Sequence, residues 1–174
     1  MAVRKILLYP QDEAALRQKS NEVRRGDPQL QSLIQDLKDT LATQEGSGLA
    51  APQIGVHKRV ALVVFGQDEG ELQPPLAIIN PRIIQQGPLT RGFDGCLSVP
   101  GLYTWDTLRP QWLVFTARDE HWRKIQMRVE GADARGVSHE VDHLDGVLFL
   151  DHLDADSKLY IRQQDSEGMR LSLE

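Results

Sequence analysis

The stretch ADARGVSHEVDHLDGVL, residues Ala132 to Leu148, carries two histidines four positions apart, His139 and His143, with Glu140 beside the first. On an α-helix that spacing stacks both side chains on one face, so the two imidazoles reach a single metal ion. Glu140 then stands close to the metal without having to ligate it and is placed to take a proton from a bound water. The spacing predicts a helix from about Ala132 to Asp145-Gly146, with Gly146 closing it. Apolar flanks at Val137, Leu144, Val147 and Leu148 argue for a half-buried helix rather than a solvated one. A helix of this kind, late in the chain, needs strands to back it.

Those strands are legible upstream. Val60 to Phe65 reads as a well-buried strand, and Leu76 to Ile79 and Ile83-Ile84 as short strands broken by Pro81. Trp112 to Ala117 and the alternating Ile125, Met127 and Val129 form an antiparallel pair around Asp119-Glu120-His121. Before them Asp27 and Pro28 start a helix whose buried face is Leu30, Leu33, Ile34, Leu37 and Leu41, ending by Gly46-Ser47-Gly48. The expected class is α+β: antiparallel sheets packed around a central helix carrying HEVDH, with a longer N-terminal helix. The 174 residues suit a single domain, 1–174, with a polar tail from about 155 to 174 that forms a short helix, frays or touches the ribosome.

Composition narrows the function classes. Twenty Lys plus Arg against 25 Asp plus Glu give a net charge of −5, which argues against a nucleic-acid partner recognised directly. The opening MAVRKILLYP holds too short an apolar run for a signal-peptide core, and no later stretch would span a bilayer. One cysteine, Cys96, fits a reducing compartment. The expectation is a cytoplasmic protein with no membrane partner.

A catalytic site built on H-E-x-x-H needs a third protein ligand. The protease class with a third His three residues beyond Gly146 is excluded, because position 149 is Phe. A downstream Glu would have to be Glu167 or Glu174, both in the polar tail. The remaining soft candidate is Cys96, within Gly95-Cys96-Leu97-Ser98; a thiolate beside two imidazoles suits Fe(II), Zn or Ni, while a lone cysteine also serves as a small buried hydrophobe. A third feature, Gly46 to Gln53 (GSGLAAPQ), fits a dinucleotide pattern only superficially, since no strand leads into it. It offers small residues that let a substrate backbone approach and a Gln amide that donates a hydrogen bond, or it is an ordinary tight turn.

In this order GSGLAAPQ, Asp94 to Ser98 (DGCLS) and His139 to Gly146 (HEVDHLDG) resemble the three motifs of peptide deformylases, over roughly residues 5 to 153. The resemblance implies a hydrolase that removes the N-formyl group from the formylmethionine of nascent polypeptides and releases formate. It implies a divalent ion on Cys96, His139 and His143, natively Fe2+, with Zn2+, Ni2+ or Co2+ as alternatives. Glu140 would be the general base, with Gln53 and the backbone N–H of Leu97 holding the oxyanion. The peptide would lie as an added strand near Gly48 and Gly101, with Ser47, Tyr103 and Gly136 shaping its pocket. Its partners would be N-formylmethionyl nascent peptides at the ribosome, met by a monomer.

Several residues depart from the family pattern. Asp94 stands where Glu is usual, Ser138 for Gln, Ser47 for an apolar residue, and Asp133 and Gly136 for aliphatic ones. Gly136 costs a helix interior about 1 kcal/mol, so it either widens the pocket or admits a neighbouring strand. A diverged relative acting on another N-formyl or N-acyl amine would keep every catalytic residue. A non-enzymatic binder of nascent chains would show damage at Glu140 or a ligand, and none is seen. His57, His121 and His152 read as surface histidines, and Asp142 and Asp145 as solvated charge at the helix end.

Overall fold

The computed structural model describes residues 2–68, 70–165 and 168–173. After a short helix α1 (Glu13–Leu16) comes α2 (Leu30–Leu41), whose Leu30, Leu33, Ile34, Leu37 and Leu41 are all buried, as their spacing predicts. It starts later than Asp27-Pro28 implies. The Asp27 carboxylate accepts the Gln29 N–H at 2.9 Å and pairs with Lys58 at 2.7 Å, holding residues 27–29 as a turn. At the far end Thr43 and Gln44 bond back to Thr40 and Leu41, tightening the chain out of the helix. Trimmed at both ends, α2 has 12 residues against 14 in the later helix, so the expected longer N-terminal helix is the shorter of the two.

Next come β1 (Gly48–Ala50), a 3₁₀ turn (Ala51–Ile54), β2 (Val60–Val63) and β3 (Leu76–Gln86). β4 (Leu89–Cys96), β5 (Val99–Pro110), β6 (Trp112–Arg118) and β7 (Lys124–Glu130) precede α3 (Gly131–Leu144), and β8 (Leu159–Asp165) and β9 (Gly168–Leu173) follow it. They form a five-stranded sheet in the order β1-β2-β3-β6-β7 and a four-stranded sheet β4-β5-β8-β9, every neighbouring pair antiparallel.

The five-stranded sheet is covered on both faces, which explains why β2 is apolar at every position. Leu49, Val60, Leu62 and Ile79 pack into one cluster with α2. Ala61, Val63, Ile78 and Phe115 pack into another with Ala134, Val137 and Leu144 of α3. β6 and β7 pair as expected. The two short strands foreseen around Pro81 are one strand, β3, with a register shift between Ile79 and Arg82. There Asn80, at φ 51°, bonds the Val23 N–H and C=O at 2.9 Å each, replacing the lost ladder.

The second sheet departs most from expectation. Residues 159–165 and 168–173, foreseen as part of a polar tail, are instead the paired strands β8 and β9, and β8 pairs along β5 with Leu102 opposite Ile161 and Tyr103 opposite Tyr160. Leu159, Tyr160 and Ile161 make an apolar run of only three residues before the polar Arg162, too short to stand out as a strand when taken for tail. Glu167 and Glu174 lie outside the described residues. α3 starts one residue before Ala132 and is closed by Gly146 at φ 76°, as expected. Its Arg135 guanidinium donates to the carbonyls of Thr90, Gly92, Phe93 and Thr107, fastening the helix to β4 and β5. Among the described residues no helix is long and apolar enough to cross a membrane.

Candidate metal centre

α3 presents its apolar side to the five-stranded sheet and its histidines to the end of β4. Cys96 Sγ lies 3.2 Å from His143 Nε2, and that atom 3.1 Å from His139 Nε2. All three donor atoms fall within 4.8 Å of one another. Donors at bonds of about 2.0–2.3 Å to one tetrahedral ion stand roughly 3–3.7 Å apart, and the Cys96–His143 and His143–His139 spacings match that. The sequence pattern and the fold bring together the same three residues.

Behind them lies a charged network that the sequence does not announce. His139 Nδ1 bonds Asp94 Oδ1 at 2.8 Å, which fixes the ring and turns Nε2 toward Cys96. The other Asp94 oxygen takes Arg109 Nε at 2.6 Å, while Arg109 also reaches Ser138 Oγ at 3.0 Å and Asp142 at 2.7 Å. Asp142 in turn bonds His152 Nε2 at 2.7 Å. Asp142 is therefore an anchor for Arg109 rather than a solvated helix end, and His152 is tied down rather than a free surface group. His57 likewise bonds the Ala15 carbonyl at 2.9 Å, while His121 is exposed. Arg109, 1% exposed, is the residue that sequence reasoning missed; its one local sign is a cation two residues after Thr107 in a strand with buried polar positions.

The electrostatics follow from burial and neighbours. Burial opposes ionisation of Asp94, but His139 and Arg109 outweigh it and hold the carboxyl well below the usual range. Burial likewise opposes protonation of His139, yet the Asp94 carboxylate and Cys96 raise it well above its ordinary value. His143 is held well below by burial and by the positive charge of His139 and Arg109, which keeps it in the neutral form that ligates.

Glu140 is buried, and its Oε2 has no hydrogen-bond partner among the described residues. Burial pushes its pKa up to about 7 against the pull of His139 and Arg109, into the range of a general base at neutral pH. β1 explains how it fits: a Cβ on Gly48 would stand 2.8 Å from Glu140 Cδ and closer still to Oε1. Gln53, 2% exposed, accepts the Ala50 N–H at 2.8 Å and aims Nε2 at Ser98 Oγ (3.1 Å) and Cys96 Sγ (3.6 Å). The same glycine-rich stretch thus supplies a clearance and a donor, so it is more than an ordinary turn.

These groups line a cleft of about 1170 Å³ that also includes Ser47, Leu97, Gly101, Tyr103 and Gly136. Gly48 of β1 also lines it, and β1 is an edge strand that pairs, among the described residues, with β2 alone. Leu97 packs its side chain over Gly46, 3.1 Å from where a Cβ would be. Gly95 lies against the Tyr103 ring. A Cβ on Gly136 would meet only Gln67 Nε2, at 3.7 Å, so no strand packs there and the glycine leaves open cleft.

A family model described as Polypeptide deformylase matches residues 3–159. The chain is 40% identical over 175 residues to the peptide deformylase of Caldicellulosiruptor bescii, covering all of both sequences. It superposes on a crystal structure of a peptide deformylase from Legionella pneumophila with a TM-score of 0.79 and 36% identity, covering 88% of each chain. Against a peptide deformylase from Synechococcus elongatus in complex with actinonin the TM-score is 0.78 at 34% identity, over 88% of this chain and 82% of that one.

Proposed function

This chain belongs to the peptide deformylase family, metal-dependent hydrolases that take the N-formyl group from nascent polypeptides, and on that premise we propose that Cys96, His139 and His143 hold its metal and Glu140 is its general base. The observation that carries the assignment is the meeting of a thiol and two imidazoles with a buried carboxylate oxygen that has no partner among the described residues, in the wall of one cleft. We assign Fe2+ as the native ion, with Zn2+, Ni2+ and Co2+ acceptable to the same donors. When bound, it supplies a Lewis acid for the formyl oxygen and lowers the pKa of water toward 7.

The protein's own groups do the rest. Glu140 takes the proton of the attacking water and returns it to the departing amine, a shuttle suited to a pKa of about 7. The Gln53 side-chain amide and the Leu97 N–H are the oxyanion donors in this reading; loss of one such donor typically costs about 2.7–4 kcal/mol. The peptide pairs with the open side of β1 at Gly48 and passes Gly101, while Ser47, Tyr103 and Gly136 shape the methionine pocket. In the cell the substrates are N-formylmethionyl chains at the ribosome, and the protein works as a cytoplasmic monomer, folded as one domain over residues 1–174.

Anaerobically purified, Fe2+-loaded protein is expected to release formate from formyl-Met-Ala-Ser, and Glu140→Ala to lower the rate by about 10²–10⁴-fold while retaining its metal. Unchanged turnover in the variant sinks the general-base assignment. The open space at Gly136 favours one second reading, a preference for another N-formyl or N-acyl amine. It is tested by comparing formyl-Met and formyl-Leu peptides between wild type and Gly136→Val; identical preferences remove Gly136 from the pocket.

A further inference from the structure

Two of the positions where the chain departs from the family pattern, Asp94 and Ser138, meet on one side chain. Arg109 donates from Nε to Asp94 Oδ2 at 2.6 Å and from Nη1 to Ser138 Oγ at 3.0 Å. Its Nη1 also reaches Asp142 Oδ2 at 2.7 Å, so both hydrogens of that nitrogen are used. Asp94 is equally full. Its Oδ2 takes Thr107 Oγ1 at 3.2 Å besides Arg109, and its Oδ1 takes the Gly95 N–H at 3.1 Å besides His139 Nδ1 at 2.8 Å. Arg109 Nη2 lies 3.4 Å from the same ring nitrogen, so the guanidinium touches the histidine directly as well. Ser138 is buried, directly precedes His139 on α3 and is not part of the cleft wall. Its hydroxyl faces the guanidinium rather than the cleft.

We propose that Ser138 is a positioning residue for the metal, setting the orientation of His139 through Arg109 and Asp94. The inference rests on the ligand assignment made above. Removing the hydroxyl leaves one N–H of a buried cation without an acceptor, which costs more than a small tilt of the side chain that carries it. Arg109 then tilts toward Asp142, whose side chain is 22% exposed against 6% for Asp94. Because Nε is bonded to Asp94, the tilt draws that carboxylate along and lengthens its bond to His139 Nδ1. That bond holds the ring with Nε2 toward Cys96. A longer side chain at 138 has the opposite fault, since its outer atoms must share the space filled by Nη1. His143 serves as the control, because its Nδ1 has no partner among the described residues and is held by none of these groups.

The test uses the full-length protein loaded with Co2+, whose paramagnetism shifts the ring N–H signals of both ligand histidines clear of the other protons. The readouts are the solvent exchange rate of each ring N–H and the Co2+ affinity, measured by competition with a chelator. In Ser138→Ala the His139 proton is expected to exchange about tenfold faster and Co2+ to bind about tenfold more weakly, with the His143 proton unchanged. Ser138→Thr, which keeps the hydroxyl, restores most of both. Arg109→Lys, which keeps the charge without the planar fork, reproduces the selective effect. Unchanged exchange and affinity in Ser138→Ala overturn the proposal while leaving the ligand assignment intact. Equal acceleration at both histidines also overturns it, because a generally looser helix does the same. If wild type shows no thiolate-to-Co2+ absorption band that Cys96→Ala removes, or one shifted histidine N–H in place of two, the ligand assignment fails and the proposal with it.

Discussion

At position 48 a hydrogen atom occupies the place where any other residue would carry carbon, and Glu140 fills the space beyond it. Gly48→Ala must therefore move the carboxylate, the backbone of β1, or both. The expected result is a fall in kcat/KM of at least about 100-fold with an unchanged circular dichroism spectrum, because misplacement by an ångström is enough to cost that much. A second residue prediction concerns Arg109, which is 1% exposed between Asp94 and Asp142. Arg109→Met leaves both carboxylates without their cation and should lower stability by about 3–5 kcal/mol in urea unfolding. A loss under 1 kcal/mol would mean that the network reorganises. The contrast between these residues explains what was legible. Cys96, His139, Glu140 and His143 stand out because few residue types offer their chemistry, and the last three also stand at helical spacing. Arg109 looks like any strand arginine, and only long-range folding buries it between two acids.

Among the elements, α2 and the β6–β7 hairpin were legible because each buries one clean stripe, with period 3.6 and period 2. β4 and β5 were not, because their inward positions include Asp94, Thr104, Thr107 and Arg109, which cancel the apolar alternation. Asp94, Thr107 and Arg109 belong to the network behind the candidate metal centre, while Thr104 holds the Lys158 carbonyl, so buried polar contacts erased the strand signal. For α2, Leu37→Ala removes a fully buried side chain and should cost about 2–5 kcal/mol, measured by chemical denaturation. The β6–β7 turn makes a pH prediction. Burial opposes the Asp119 carboxylate, but the Arg123 N–H at 2.8 Å, its guanidinium at 2.6 Å and the His121 N–H at 3.0 Å outweigh this and lower its pKa. A lowered folded-state pKa stabilises the fold above the unfolded aspartate value of about 3.9, and that contribution is lost as pH falls through the lower folded value. Asp119→Ala should therefore cost about 1–2 kcal/mol at pH 7, with the gap from wild type closing in acid.

For the whole molecule, the sequence indicates the class but not which strands share a sheet, since no local pattern distinguishes β4 from β3. The division matters because Cys96 comes from the four-stranded sheet, whereas His139 and His143 come from the helix packed on the other one. A metal held by all three couples the two halves of the fold and stabilises the native state by mass action, about 2.7 kcal/mol when free metal is 100-fold above Kd. Calorimetric scans with and without chelator should show a lower Tm after metal removal in wild type and a much smaller difference in Cys96→Ala. Equal shifts in both proteins would take Cys96 out of the ligand set.

The fit of Gly48 beneath Glu140 also has a consequence for heredity. A mutation at codon 48 is harmful for as long as codon 140 specifies glutamate, and loses much of that harm once it does not. In a duplicated gene drifting away from catalysis, the glutamate should be lost first and the glycine only afterwards. The order in which the two codons decay would then date when a lineage stopped using the reaction.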